Sequence, residues 1–218
     1  MATRRPVALL ISLIAPPRCG ACSNPCELDE PLCAACRTDL EANHARFLSV
    51  SFSDTAWAAT RYEGTAQALI TALKFSGRLA LADAAADAIV AGLPPGLAAG
   101  IVVPVPSAPA RRRARGFDPT ALIAQSLAAR LGLPSLPCLS RADGPRQVGR
   151  RRGLRLADPP RMEPAGAVPE TATLVDDVTT TGATLSACAQ ALRAAGTERV
   201  VAIAFSHTPG LPPRSAGA

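Results

Sequence analysis

Residues 171 to 205 constrain the fold more than any other part of this chain. TATLVDD, Thr171 to Asp177, is a short β-branched run that reads as a strand, and RVVAIAF, Arg199 to Phe205, reads as a second. Between them VTTTGAT reads as a loop, a helix is expected from about Leu185 to Ala195, and Gly196 stands where a helix C-cap belongs. Strand, helix and strand in that order form a βαβ unit, which implies a parallel sheet joined by a right-handed crossover.

The same grammar occurs earlier. GIVVPVP, Gly100 to Pro106, fits a buried strand. After a basic turn, Asp118 is placed to cap a helix with Pro119 as its first residue, running through Ala121 to Leu131 until Gly132 and Pro134 close it. Thr65 to Phe75 and Arg78 to Leu93 carry apolar residues at helical spacing and read as helices. Ser140 to Val168, rich in Arg, Gly and Pro, is expected to be a long surface loop of the functional kind. A chain of 218 residues accommodates one α/β domain and a small appendage. The divisions expected are residues 1–45 for an N-terminal segment with a cysteine module, 46–208 for the α/β domain, and 209–218 for a disordered tail. Aromatics make up only 3% of residues, so elements must pack closely through small side chains, Ala above all.

The net charge of +6 comes from 23 basic residues, all Arg except Lys74. An Arg-rich, Ala-rich and Gly-rich composition is what a GC-rich genome gives, but the Arg residues are also clustered. Four lie in Arg111 to Arg115 and six in Arg141 to Arg155, which favours an anionic partner, phosphate or nucleic acid. No apolar run reaches the roughly 18 residues that would span a bilayer. VALLISLIA, Val7 to Ala15, follows Arg4 and Arg5 with the proportions of a signal peptide, yet Pro16, Pro17 and a cysteine cluster follow it without a small-x-small cleavage site. It reads better as a short docking helix or strand, and a cytoplasmic location is expected.

Cys19-x2-Cys22 and Cys33-x2-Cys36 are two CxxC pairs ten residues apart, the spacing of a four-sulfur zinc site. Disulfides are the rival reading, disfavoured in the cytosol. Cys26 is either a substitute ligand or a spare thiol. Cys138, Cys188, His44 and His207 have no partner pattern and read as structural residues.

Asp176 and Asp177 fall at the carboxyl end of a strand, where open α/β sheets bind ligands. One Asp or Thr alone would serve as an ordinary cap. Two acids followed by TTTGAT at a helix start can do more: the amides of Val178 to Gly182 can cradle a phosphate while the carboxylates accept the hydroxyls of its sugar. The arrangement suits a ribose 5-phosphate.

VDDVTTTGAT, Val175 to Thr184, resembles the phosphoribosyl pyrophosphate (PRPP) signature of type I phosphoribosyltransferases. With the double CxxC module, LKFSGR (Leu73 to Arg78), VPVP and RRRARGF (Arg111 to Phe117), the chain from roughly Pro16 to Ser206 resembles the ComF family of phosphoribosyltransferase-domain proteins. The resemblance implies a type I phosphoribosyltransferase fold, with Asp176 and Asp177 on the ribose hydroxyls and Val178, Thr179, Thr180, Thr181, Gly182, Ala183 and Thr184 around the 5-phosphate. It also implies Mg2+ bound with PRPP and a pyrophosphate loop from Ser107 to Arg115, for which Ser107, Arg115 and Lys74 are the candidates. Arg150 to Arg155 is a candidate closing loop. Asp118 departs from the family's RGFN, and Asp158 stands where Asn is usual after Gln147 and Arg155. The run Arg111 to Arg113 reads equally as a solvated or nucleic-acid-facing surface.

Two functions follow. One is an Mg2+-dependent phosphoribosyltransferase with a structural zinc and an unknown acceptor. The other, implied by the family's link with natural competence, is a protein that senses PRPP or binds single-stranded DNA, or a partner protein of the competence machinery, without turnover. Scarce aromatics count against a dedicated single-strand binder. The sequence leaves acceptor and oligomeric state open.

Overall fold

The structure, a computed structural model, describes residues 17–28, 30–42, 45–142 and 160–208. The Val7 to Ala15 run, His44, the Arg150 to Arg155 segment with Gln147 and Asp158, and the tail lie outside the described residues.

The fold is α/β around a mostly parallel five-stranded sheet. Its elements in chain order are α1 (Ala34–Glu41), β1 (Arg46–Leu48), β2 (Thr55–Arg61), α2 (Gly64–Phe75), α3 (Leu81–Gly92), β3 (Ile101–Pro104), α4 (Pro109–Arg115), α5 (Pro119–Leu131), β4 (Leu139–Arg141), β5 (Met162–Pro164), β6 (Thr171–Thr179), α6 (Ala183–Ala194) and β7 (Arg199–His207). The sheet order is β1-β2-β7-β6-β3, with β1 antiparallel to β2 and every other pairing parallel. The expected βαβ unit is therefore β6-α6-β7, in the centre of the sheet.

Alternation along β7 explains why RVVAIAF is apolar throughout. Val201, Ile203 and Phe205 join one core with α2, α3 and α5, whereas Val200, Ala202 and Ala204 join a second core with α6. A central parallel strand is covered on both faces and needs no polar side. Alanines 66, 82, 85, 86, 124 and 128 let helices approach closely in the first core, around the fully buried Leu69, Ile70 and Leu73. Each such large side chain contributes about 1.5–3 kcal/mol by leaving water.

Several expectations need correction. The sequence reading omitted β1 and β2; TAWAATR has too much Ala to look like a strand, yet pairing with β7 and burial of Trp57 make it one. The cysteine stretch is not all loop, because Cys33 is the N-cap of α1 and Cys36 lies in its first turn. The basic segment expected as an open loop is mostly helical: Pro109 opens α4, and Gly116 at φ 78° closes it. The ends of the expected Ser140 to Val168 loop pair as β4 and β5. Strand β6 runs two residues past Asp177, so Val178 and Thr179 belong to the strand rather than to the loop. Asp118 does cap α5, accepting from the Thr120 amide.

The cysteine module is not a detached knob. Cys19, Leu32, Cys36 and Leu40 pack into the core shared by α2, α3 and α5. No helix among the described residues is long and apolar enough to cross a membrane.

Candidate functional site

A cleft of about 280 Å3 lies at the carboxyl ends of β3 and β6, lined by residues that include Lys74, Ser107, Arg111, Arg115, Thr120, Arg141, Asp176, Asp177, Thr180 and Thr184. Side chains that are distant in sequence reach it because three parallel crossovers deliver their loops to the same edge of the sheet.

The two acids are neighbours on a strand and meet different surroundings. Asp177 Oδ1 takes an ion pair from Lys74 Nζ at 2.7 Å, out of the last turn of α2, and its Oδ2 accepts from Thr120 Oγ1 at 3.3 Å, out of the first turn of α5. Asp176 Oδ1 accepts only from the Asp177 amide, at 2.8 Å. Burial, then the neighbouring Asp177 charge, pushes the Asp176 carboxyl up to about 8. Burial thus favours the protonated form of Asp176, whereas Asp177 is ion-paired to Lys74.

The turn after β6 is built for close approach. Gly182 at φ 75° is the N-cap of α6, in the left-handed region that favours glycine, and a Cβ there would stand 3.3 Å from Val50 Cγ2. The first amides of a helix have no acceptor within the helix, so those of Ala183 to Leu185 face outward at its positive end. Thr180 and Thr184 line the cleft. Thr179 is buried at the strand end, with its carbonyl taken by the Thr208 amide, and Thr181 is exposed with its Oγ1 on the Ala183 amide. Of the residues expected around a phosphate, Val178, Thr180 and Thr184 line the cleft.

Facing this turn, Asp118 closes the basic segment on itself. It accepts from the Ser107 amide at 3.1 Å and from Ser107 Oγ at 2.8 Å, besides capping α5. That fixes Ser107 on the cleft wall and projects α4 as a short, fully unburied helix. Arg111 and Arg115, one turn apart on α4, line the cleft, while Arg112 and Arg113 are exposed and do not. Arg115 also rests over the Phe75 ring, 5.2 Å from its centroid.

Sequence reasoning found Lys74, Ser107 and Arg115 but missed Thr120, Tyr62, Thr208 and the individual roles of Arg111 and Arg141. For Arg111 a signal existed: it stands four residues before Arg115, one helical turn. Nothing in the sequence marks Thr120.

The other candidate centre is the cysteine cluster. The sulfurs of Cys19, Cys22, Cys33 and Cys36 all lie within 4.8 Å of one another, and no disulfide joins them. Cys22 and Cys33 are 3.6 Å apart, close to the separation of about 3.8 Å that a tetrahedron with metal–sulfur bonds of about 2.3 Å requires. Burial raises Cys19, but amides of Cys22, Cys33 and Ala21 outweigh it and bring the thiol down to about 6. Burial and its cysteine neighbours push Cys36 up instead. Four cysteine sulfurs this close together are a donor set that fits one metal cation. Cys26 is outside the cluster, its sulfur on the Glu30 carbonyl at 3.4 Å, as a spare thiol would be. Arg78, in the loop after α2, donates to the Cys19 carbonyl at 3.1 Å and ties this module to the helix that carries Lys74.

No protein-family model and no curated protein matches the chain.

Cys138 and Cys188 are buried in the second core, where burial raises both thiols, as expected of small structural residues. His207 is buried at the end of β7. Burial lowers its pKa, and its Nε2 has no hydrogen-bond partner among the described residues.

Proposed function

We propose that the chain is a phosphoribosyltransferase of the ComF kind, with a type I phosphoribosyltransferase fold, which binds PRPP with Mg2+ and carries a structural zinc. The observation that carries this reading is that an acid pair, a helix N-terminus with two threonines, and a row of cations share one cleft at the end of a parallel sheet. Each part suits one part of the ligand. The α6 N-terminus with Thr180 and Thr184 suits the 5-phosphate. Asp176 and Asp177 suit the two ribose hydroxyls, one as donor and one as acceptor. Ser107, Arg111, Arg115 and Arg141 suit the pyrophosphate. Lys74 holds Asp177 in place and sits where a second anionic group would draw it away.

In the transfer, the bond from C1 of the ribose to the pyrophosphate oxygen breaks and the pyrophosphate departs with the electron pair. The acceptor's lone pair then forms the new bond at an oxocarbenium-like carbon, as in glycoside cleavage. Mg2+, when bound with PRPP, neutralises charge on the departing phosphates. The protein's part is to hold the ribose by its acids, to receive the charge on the α4 arginines, and to exclude water. Zinc suits the cysteine cluster by donor type, count and spacing, and there it would fix the module against α2.

Calorimetric titration with Mg-PRPP tests the reading. Binding to the wild type, lost in Asp177→Asn, is expected, followed by pyrophosphate release with a suitable acceptor. Failure of the wild type to bind ends the proposal. Binding without turnover on any base or amine would favour a PRPP sensor. That second reading draws on the exposed Arg112 and Arg113, which face away from the cleft and would suit DNA phosphates; salt-sensitive DNA affinity that survives Asp177→Asn would support it.

A further inference from the structure

We infer that a second cavity, opening off the carboxylate cleft, is a binding site for a planar aromatic ring that carries an anionic group. On the transferase reading above, on which this role rests, that ring is the phosphoribosyl acceptor. The cavity, about 800 Å3, is lined by Tyr62, Lys74, Phe75, Gly77, Arg111, Ala114, Arg115 and Phe117.

Three observations carry the inference. The first is aromatic content. The chain has one Trp, one Tyr and five Phe, and Tyr62, Phe75 and Phe117, three of these seven, line this one cavity. Phe75, 75% exposed at the end of α2, is the most exposed large apolar side chain among the described residues. The second is charge. No acidic side chain lines the cavity. Lys74 is engaged by Asp177, and among the described residues Arg111 and Arg115 have no ion-pair partner. This lining disfavours a cationic ligand and favours an anionic one, and a guanidinium has donors enough to meet the pyrophosphate and the ring's anionic group together. The third is geometry. The Arg115 guanidinium already stacks over Phe75, so a flat ring entering here meets an aromatic face and a delocalised cation together.

The cavity shares Tyr62, Lys74, Arg111 and Arg115 with the cleft of the acid pair, so its occupant lies beside the sugar's reacting carbon. A ring nitrogen would donate its lone pair to C1 as the bond to pyrophosphate breaks; a nitrogen that carried a proton would release it to solvent, and a pyridine nitrogen, which carries none, would keep the positive charge. PRPP is the only co-reactant this balance needs.

Calorimetry with defined probes decides the matter. The probes are the carboxylates of pyridine, pyrimidine and purine, their neutral carboxamides, and cyclohexanecarboxylate as an anion that is not flat. At least one ring carboxylate should bind about tenfold more tightly than its carboxamide and than cyclohexanecarboxylate. Phe75→Ala should weaken it about tenfold, and Phe75→Leu by less. Arg115→Gln should weaken the carboxylate while hardly changing the carboxamide. Phe75 is exposed and Arg115 lies on an unburied helix, so an unchanged melting temperature should accompany both losses. Equal binding of charged and neutral rings, indifference to Phe75→Ala, or binding of an oligothymidylate without any ring carboxylate would overturn the inference. Titration of the wild type with Mg-PRPP separates it from the reading on which it rests. Ring binding by a wild type that does not bind Mg-PRPP removes the transferase and keeps the site, whereas PRPP binding without ring binding removes the site alone.

Discussion

Replacing Asp176 by Asn should make the protein less sensitive to pH. The Asp176 carboxyl is raised from 3.8 to about 8, by burial first and then by the Asp177 charge. The native state therefore keeps a proton that the unfolded chain releases, so this group stabilises the fold fully below about pH 4. That contribution falls by about 1.4 kcal/mol for each pH unit up to about 8 and is then gone. Between pH 5.5 and 8.5 the loss is about 3 kcal/mol, or about 6–12 °C in melting temperature for a chain of this size. Asn cannot titrate, yet its side-chain oxygen can still accept from the Asp177 amide, the one hydrogen bond Asp176 makes. The assay is urea unfolding of both proteins at several pH values, constant ionic strength and excess zinc, followed through Trp57, the chain's single Trp, which is buried on β2. The informative quantity is wild type minus variant, since every titrating group not coupled to Asp176 cancels. That difference should fall by about 3 kcal/mol from pH 5.5 to 8.5. A difference that stays flat, or rises with pH, refutes the account of Asp176 as a buried acid that holds its proton.

Other perturbations test other parts of the structure. Lys74→Met leaves the nearly buried Asp177 without its ion pair and should cost about 2–3 kcal/mol in chemical unfolding, most of it recovered in the Lys74→Met/Asp177→Asn double variant. Metal analysis should find about one zinc per chain, lost in Cys22→Ser, with a fall in melting temperature of at least about 10 °C when a strong chelator removes it; Cys26→Ser should leave zinc content unchanged. Gly100→Ala would put a Cβ 2.2 Å from the Thr171 carbonyl at φ 69°, and should lower stability by about 3 kcal/mol or prevent folding, as read by circular dichroism. Asp118→Ala frees Ser107 and uncaps α5, so it should cost about 1–2 kcal/mol and weaken Mg-PRPP binding, whereas Asp118→Asn should retain most of both.

What could be read from the sequence, and what could not, follows from the range of each interaction. The βαβ unit of β6, α6 and β7 was legible because its signals are local: an apolar run, a turn, a periodic helix and a glycine. The four cysteines were legible because two short spacings suffice to bring two pairs of sulfurs together. Asp118 announced its role as a cap through Pro119 beside it. By contrast, TAWAATR is a strand only because β7 pairs along its whole length, a contact made across 146 positions between Thr55 and Val201. Arginine at 111 differs from arginine at 112 only in the face of α4 on which it falls, and α4 itself was hidden in a run that looked like a loop. The acid pair shows the same limit at the site. Two neighbouring aspartates in a sequence look equivalent, but Lys74, which is 103 residues from Asp177, and Thr120, which is 57, donate hydrogen bonds to Asp177, whereas Asp176 accepts from the Asp177 amide. Burial of one carboxyl and the long-range partners of the other thus make two adjacent aspartates chemically unequal.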